Sequence, residues 1–374
     1  MGHMRTVILG GGAAGLSLAN RLRRLRHEGE IILIERGEHL FQAGLTALIF
    51  GDRQVEEIRR PLEGLLLPEI EWIRGEVEAI EPSAQRVRTR LGVVEYDELV
   101  IALGVLPESP QPLPEGYFNP WTLEGALALR QLLPQLGSAH RLAVIVAGVP
   151  YRCPPAPFDL SVRLKWTTGA QVHLFHPWPR PLAPLGPVGE QLAGWVRRYG
   201  VEIHNGIQID RLEQGRLRTA GGEEFTFDYA LLIPPHRPPA LLAEAGLAEP
   251  GAFLPVSYPS LRHPRYPQIY GLGDIIAPPL NLGMAGTLAL QEASSLALRL
   301  ARGEERPIEP TALCFLDFGF AGSQMACDFQ PALEGQGPPR CLLLPAWPYF
   351  RRARGLFLEE WFAQLLQGVE SSAQ

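Results

Sequence analysis

Lysine is almost missing: Lys165 is the only one in 374 residues, and 34 Lys+Arg against 40 Asp+Glu leave a net charge of −6. Nucleic-acid binders carry a basic balance or stripe. The one Arg-rich run, Arg21, Arg23, Arg24 and Arg26, lies on the polar side of a Leu16, Leu18, Leu22, Leu25 pattern, as a solvated helix face does. No nucleic acid is therefore expected as a partner. Long apolar runs are missing too, none reaching the ~18 residues of a membrane-spanning helix. No signal-peptide pattern precedes the first strand. Met1-Gly2-His3 ahead of Met4 reads as a cloning scar, and a start at Met4 points to synthesis in the cytoplasm. Cysteine is scarce: Cys153, Cys314, Cys327 and Cys341 are too few for a disulfide scaffold. No CxxC or His-rich spacing suggests zinc, so no metal is expected. In a cytoplasmic protein a disulfide is usually catalytic or redox-sensing, so each cysteine needs its own reading.

What is present is a globular balance, 46% hydrophobic and 20% charged, in a chain long enough for two or three domains. Arg5-Thr6-Val7-Ile8-Leu9 reads as a buried parallel strand leading into Gly10-Gly11-Gly12-Ala13-Ala14-Gly15 and an apolar-periodic helix. Gly10, Gly12 and Gly15 fit GxGxxG: a tight turn, a backbone open to a pyrophosphate, and close helix–strand packing. Ala13 and Ala14 open the helix whose N-terminus faces the phosphates. A second strand, Ile31 to Ile34, ends in Glu35 with Arg36 beside it, where an acid that binds a ribose hydroxyl is expected.

Two later segments carry a resemblance. Tyr96 to Gly104, ending Ala102-Leu103-Gly104, and Ile269-Tyr270-Gly271-Leu272-Gly273-Asp274 resemble motifs of the two-dinucleotide-binding-domain flavoproteins. That group includes type II NADH dehydrogenases, disulfide reductases and sulfide:quinone oxidoreductases. The resemblance implies bound FAD, with Asp274 on its ribityl chain and the helix that starts near Gly286 facing its pyrimidine edge. A second strand, Arg141 to Val146, leads not into another glycine fingerprint but into Ala147-Gly148-Val149-Pro150-Tyr151-Arg152-Cys153-Pro154-Pro155-Ala156-Pro157-Phe158-Asp159. Proline lacks the N–H that a phosphate cradle needs, which argues against NADH as electron donor. This segment resembles the Cys-Pro-Pro loop of flavocytochrome c sulfide dehydrogenases and sulfide:quinone oxidoreductases.

The resemblance implies that Cys153 pairs with Cys314 as a redox disulfide that sulfide, or another small sulfur compound, attacks. Asp159 stands where the family carries Glu, as a general base or a loop cap. Cys327 competes with Cys314 for the pairing, Cys341 reads as a buried apolar residue, and His236 is a minor catalytic candidate. Trp121 stands where some relatives have a third cysteine. No cysteine lies in His39 to Thr46, where the flavocytochrome subunit attaches its flavin, so FAD is expected to be non-covalent. Asn281 to Gly286 replaces the family's Pro-Lys pair, which weakens an ordinary quinone pocket.

Near the C-terminus, Phe357, Trp361 and Leu365, with Leu358 and Phe362 beside them, form an amphipathic helix, with Arg354 and Glu359-Glu360 off the stripe. A membrane surface, the protein's own sheet or a second copy of the chain (a homo-oligomer) would each suit that stripe. The expected architecture is α/β: two Rossmann-like domains, the first interrupted by the second, and a C-terminal region with the amphipathic helix. Residues 4–108 and 231–300 would form the FAD domain, 109–230 a degenerate NAD(P)-binding-like domain, and 301–374 the C-terminal region. The expected function is sulfide oxidation with quinone as acceptor, in the cytoplasm or peripherally at the inner membrane. Alternatives are a cytochrome c acceptor, with the haem on a partner because no CxxCH is present; a type II NADH:quinone reductase; and a non-enzymatic flavin-bound interaction protein.

Overall fold

The structure is a computed structural model that describes residues 4–41, 44–109, 112–279 and 283–366. The segment Met1–His3, two positions of the 39–46 stretch, Asn281 and Leu282, and the tail 367–374 lie outside the described residues.

Strand β1 (Arg5–Leu9) enters helix α1 (Ala13–Arg24), followed by β2 (Glu30–Ile34), β3 (Ile70–Ile73) and β4 (Glu98–Ile101). Val7, Ile8 and Leu9 are fully buried, because a parallel strand covered on both faces must be apolar without alternation. A fifth strand, Ile269–Gly271, completes this parallel sheet from far down the chain, beside β4; the order across it is Ile269–Gly271, β4, β1, β2, β3. The chain therefore leaves the first domain and returns to it.

Between departure and return lies a second five-stranded parallel sheet: β5 (Tyr117–Phe118), β6 (Arg141–Val146), β7 (Gln171–His176), β8 (Val201–Asn205) and β9 (Tyr229–Ile233), ordered β5-β9-β6-β7-β8. Helix α2 (Ala156–Thr168) crosses from β6 to β7. The boundary expected at 230/231 falls inside β9, a strand of the second sheet. The strand Ile269–Gly271 is β10, and helix α3 (Gly286–Arg302) follows it and packs along α1. The fold is thus α/β with two Rossmann-like sheets.

The C-terminal region adds an antiparallel sheet, β11 (Thr311–Asp317), β12 (Gly322–Asp328) and β13 (Arg340–Leu343), and helix α4 (Pro348–Leu366). Leu358, Trp361, Phe362 and Leu365 of α4 are all under 10% exposed, and the helix lies on β11, β12 and α1. Its apolar stripe therefore faces the protein's own core. Across β12 and β13, Cys327 and Cys341 are register partners and form a disulfide. This corrects two readings: Cys341 is not a plain apolar residue, and Cys327 is not free to compete for Cys153. Nothing in their spacing distinguishes such a pair; only the hairpin register makes them neighbours.

Closing a loop of about 15 residues contributes about 3 kcal/mol in the chain-entropy account, and these cysteines are separated by 14 positions. Cys341→Ser should therefore lower the unfolding free energy by up to about 3 kcal/mol. Denaturant midpoints with and without reductant would check this, since reductant should shift the parent further than the variant, which lacks this bridge.

Candidate active site

A continuous cavity of about 940 Å³ runs from the first sheet to the C-terminal sheet. It opens outside the carboxyl ends of the parallel strands, where the strand order reverses and α/β folds bind ligands. At one end Gly10, Gly12, Ala13 and Ala14 line it from the β1–α1 turn, with Glu35 and Arg36 at the end of β2. Ala102, Leu103 and Gly104 line it after β4, Gly273 and Asp274 after β10, and Gly286 at the start of α3.

The glycines divide the work as their spacing predicts. Gly10 has φ +100°, and a Cβ there would lie 2.5 Å from the Ala102 carbonyl oxygen. Gly15 does not line the cavity; a Cβ on it would sit 2.0 Å from the Gly10 oxygen, so it is a packing residue. A Cβ on Gly12 would meet no protein atom within 4 Å, which leaves its backbone open toward the cavity. The Glu35 carboxylate accepts from the backbone N–H groups of Gly11, at 2.7 Å, and Gly37, at 2.6 Å.

Two groups that were not anticipated shape the next stretch. Arg152 donates from Nε to Asp274 at 3.0 Å and from Nη2 to the Val105 oxygen at 2.6 Å, tying the cysteine loop to the first domain. Glu292, on α3 and 1% exposed, accepts from the Gly273 N–H at 2.6 Å. Burial pushes its carboxyl up to about 8, opposed by that hydrogen bond and reinforced by the Asp274 charge. Burial likewise raises Asp274, with Arg152 opposing. Glu292 sits in an otherwise amphipathic helix, and an acid on its buried face was the available signal.

At the far end are the sulfurs. Cys153 lies in a loop pinned by the Tyr151 hydroxyl, which bonds the Pro154 oxygen and His176 Nε2, both at 2.9 Å. Trp121 Nε1 donates to the Arg152 oxygen at 3.3 Å. Cys153 itself has φ +52°, a left-handed conformation unusual for a residue with a side chain. Its Sγ is 3.4 Å from Sγ of Cys314 on β11, and both are free thiols lining the cavity. The hydrogen bond shared with Cys153 pushes the Cys314 thiol well up; burial and the Asp159 charge add, and Arg354 opposes.

Asp159, on the first turn of α2 and 6% exposed, also lines the cavity. One oxygen accepts from the Asp317 N–H at 2.9 Å, and the other has no hydrogen-bond partner among the described residues. Burial raises its carboxyl to about 7, against the pull of that N–H and of Arg354. Arg354, expected on the polar side of α4, is instead 8% exposed and reaches the cavity. It donates to Asp317 at 2.8 Å and to the Thr46 hydroxyl at 2.7 Å. Arg354, Leu358, Trp361 and Leu365 share one face at helical spacing, so the periodicity held this signal. His236 is fully buried and does not line the cavity. It is not brought to the sulfurs.

The family described as "Pyridine nucleotide-disulphide oxidoreductase" matches residues 4–295. The chain belongs to the pyridine nucleotide-disulphide oxidoreductase family. Within that FAD-binding family, the mitochondrial sulfide:quinone oxidoreductase of Mus musculus is 24% identical over 330 residues, 82% of this chain and 73% of its own. A sulfide-quinone reductase of Aquifex aeolicus is 25% identical over 348 residues, 84% and 81%. The X-ray structure of the sulfide:quinone oxidoreductase from Aquifex aeolicus superposes with a TM-score of 0.84 at 22% identity, covering 97% of this chain and 91% of that one.

The raised carboxyls make stability depend on pH. Their ordinary values are 3.8 for Asp159 and 4.5 for Glu292, against about 7 and about 8 in the fold. Their contribution is fully present below the ordinary values and is lost as pH rises through about 7 and about 8. Glu292→Gln keeps an acceptor for the Gly273 N–H and removes the charge. Its denaturant midpoint should fall less than the parent's between about pH 5 and about pH 9.

Proposed function

We propose that this chain is a FAD-dependent oxidoreductase that oxidises a small sulfur compound, sulfide first among them, and passes the electrons to a quinone. The observation that carries the reading is the Cys153–Cys314 contact of 3.4 Å inside a cavity that continues to the open backbone of Gly12. Two thiols at that distance need only a small approach to form a disulfide.

The β1–α1 turn, Glu35, the Ala102–Gly104 turn and the Gly273–Asp274 edge are the residues that would hold FAD, without a covalent bond. FAD, when bound, supplies a two-electron acceptor. The chain's own residues handle the sulfur. Hydrosulfide attacks one sulfur of the Cys153–Cys314 disulfide, the S–S bond breaks, a persulfide forms on one cysteine and the other leaves as thiolate. Asp159, raised to about 7, is partly ionised near neutrality and can take the persulfide proton. Arg354 steadies the negative charge left at Cys314, consistent with its lowering effect on that thiol.

Against a nicotinamide donor stands the second sheet. A Cβ on Gly148, just after β6, would be 3.0 Å from Pro235, so the turn where a second dinucleotide would lie is packed with proline. For quinone as acceptor, the named relatives supply the analogy. Leu342, Trp347, Tyr349 and Leu356 of the C-terminal region are exposed apolar side chains, which also suits contact with a membrane interface. Among the described residues no helix is long and apolar enough to cross a membrane.

Anaerobic sulfide should bleach the flavin of the purified protein and NADH should not. Cys153→Ser and Cys314→Ser should each abolish the sulfide response; survival of it in either variant would end the proposal. Gly12→Ala should fold normally yet retain little flavin. Gly15→Ala should cost about 1–3 kcal/mol of stability, measurable by thermal melting beside the flavin content.

A further inference from the structure

Away from the cavity, β7 and β8 run parallel with His173 opposite Glu202 and Phe175 opposite His204. Side chains alternate along a strand, so His173, Glu202 and His204 project from one face of the sheet. His173 Nδ1 is 3.1 Å from His204 Nε2. The two oxygens of Glu202 face these same nitrogens, one 3.6 Å from His173 Nδ1 and the other 3.5 Å from His204 Nε2. A first-row divalent ion bonded to imidazole nitrogen and carboxylate oxygen at ~2.0–2.2 Å holds neighbouring tetrahedral donors about 3.3 Å apart. The three separations bracket that value.

A single hydrogen bond between the two rings accounts for the 3.1 Å contact alone. The two ring nitrogens and the two Glu202 oxygens all lie within reach of a single cation placed between them. The rings are fixed as ligands require: His204 stacks on Phe175 at 4.6 Å and meets Phe225 edge-on at 4.9 Å.

We propose that His173, Glu202 and His204 bind a first-row divalent cation of the zinc class. Water completes the coordination. The ion clamps β8, the edge strand of the second sheet, to β7, and it is independent of the sulfur chemistry in the cavity.

The test is calorimetric titration of the full chain, stripped with chelator, with Zn²⁺, repeated on His204→Gln and Glu202→Gln. One ion per chain is expected, with affinity falling at least about 100-fold in His204→Gln and about 10-fold or more in Glu202→Gln. Co²⁺ should give nitrogen–oxygen d–d bands with no sulfur charge-transfer band, which separates this site from the Cys153–Cys314 thiols. Bound Zn²⁺ should also raise the melting temperature of the parent and not of the variants. Melting in chelator controls for folding. The Glu202 side chain is 64% exposed, so its variant carries the test if His204→Gln fails to fold. Absence of binding, unchanged affinity in the variants, or sulfur ligation of Co²⁺ would overturn the proposal.

Discussion

The carboxylate of Asp317 organises the sulfur end of the molecule. It is 3% exposed, and a charge so buried persists only if it is paired. Arg163 from α2, Arg354 and Arg351 from α4, and its own neighbour's N–H at Gly319 all converge on it. Arg163 also holds Asp52 of the first domain at 2.6 Å. Three distant parts of the chain, α2, α4 and the segment at Asp52, are thus tied to the strand of Asp317. Cys314 lies three positions earlier on the same strand, and the Asp317 N–H holds Asp159, on the helix that follows the Cys153 loop. The meeting of the two thiols is a consequence of that ionic hub. Removing one member of such a cluster typically costs about 3–5 kcal/mol, because it strands a buried charge.

The second parallel sheet is Rossmann-like, and the turn after its strand β6 is rich in proline rather than glycine. Prolines 150, 154 and 155, the buried Tyr151 and the left-handed Cys153 replace a phosphate cradle. The scaffold explains why this works: a loop at the carboxyl end of a parallel strand is already aimed at the crevice. Changing its residues changes the chemistry without moving the backbone frame.

Local sequence carried much of the fold and of the dinucleotide end. The β1–α1 glycines, Glu35 and the edge at Gly273–Asp274 are each contiguous signals whose chemistry is decided within a few residues. Cys153 was legible because of the prolines around it, and Cys314 through resemblance. Features that depend on tertiary register were not. Cys327 and Cys341 meet only because β12 and β13 pair in one register. Arg354 lies on the apolar face of α4 because Asp317 waits there, and charge alone suggested the opposite. His173 and His204, 31 positions apart, approach only across adjacent parallel strands, so no spacing rule for metal ligands could reveal them.

The strand Ile269–Gly271 has an implication for how the protein is made. The first sheet lacks that edge, and its crevice lacks Gly273, Asp274 and Glu292, until well over half the chain has left the ribosome. The stretch that supplies the second sheet is contiguous and can fold as a unit meanwhile. The amino-terminal half must then wait, incomplete, with the apolar flank of β4 uncovered. Ordering of synthesis therefore makes the inserted domain the earlier one to mature, and the crevice beside the first sheet a late product of translation.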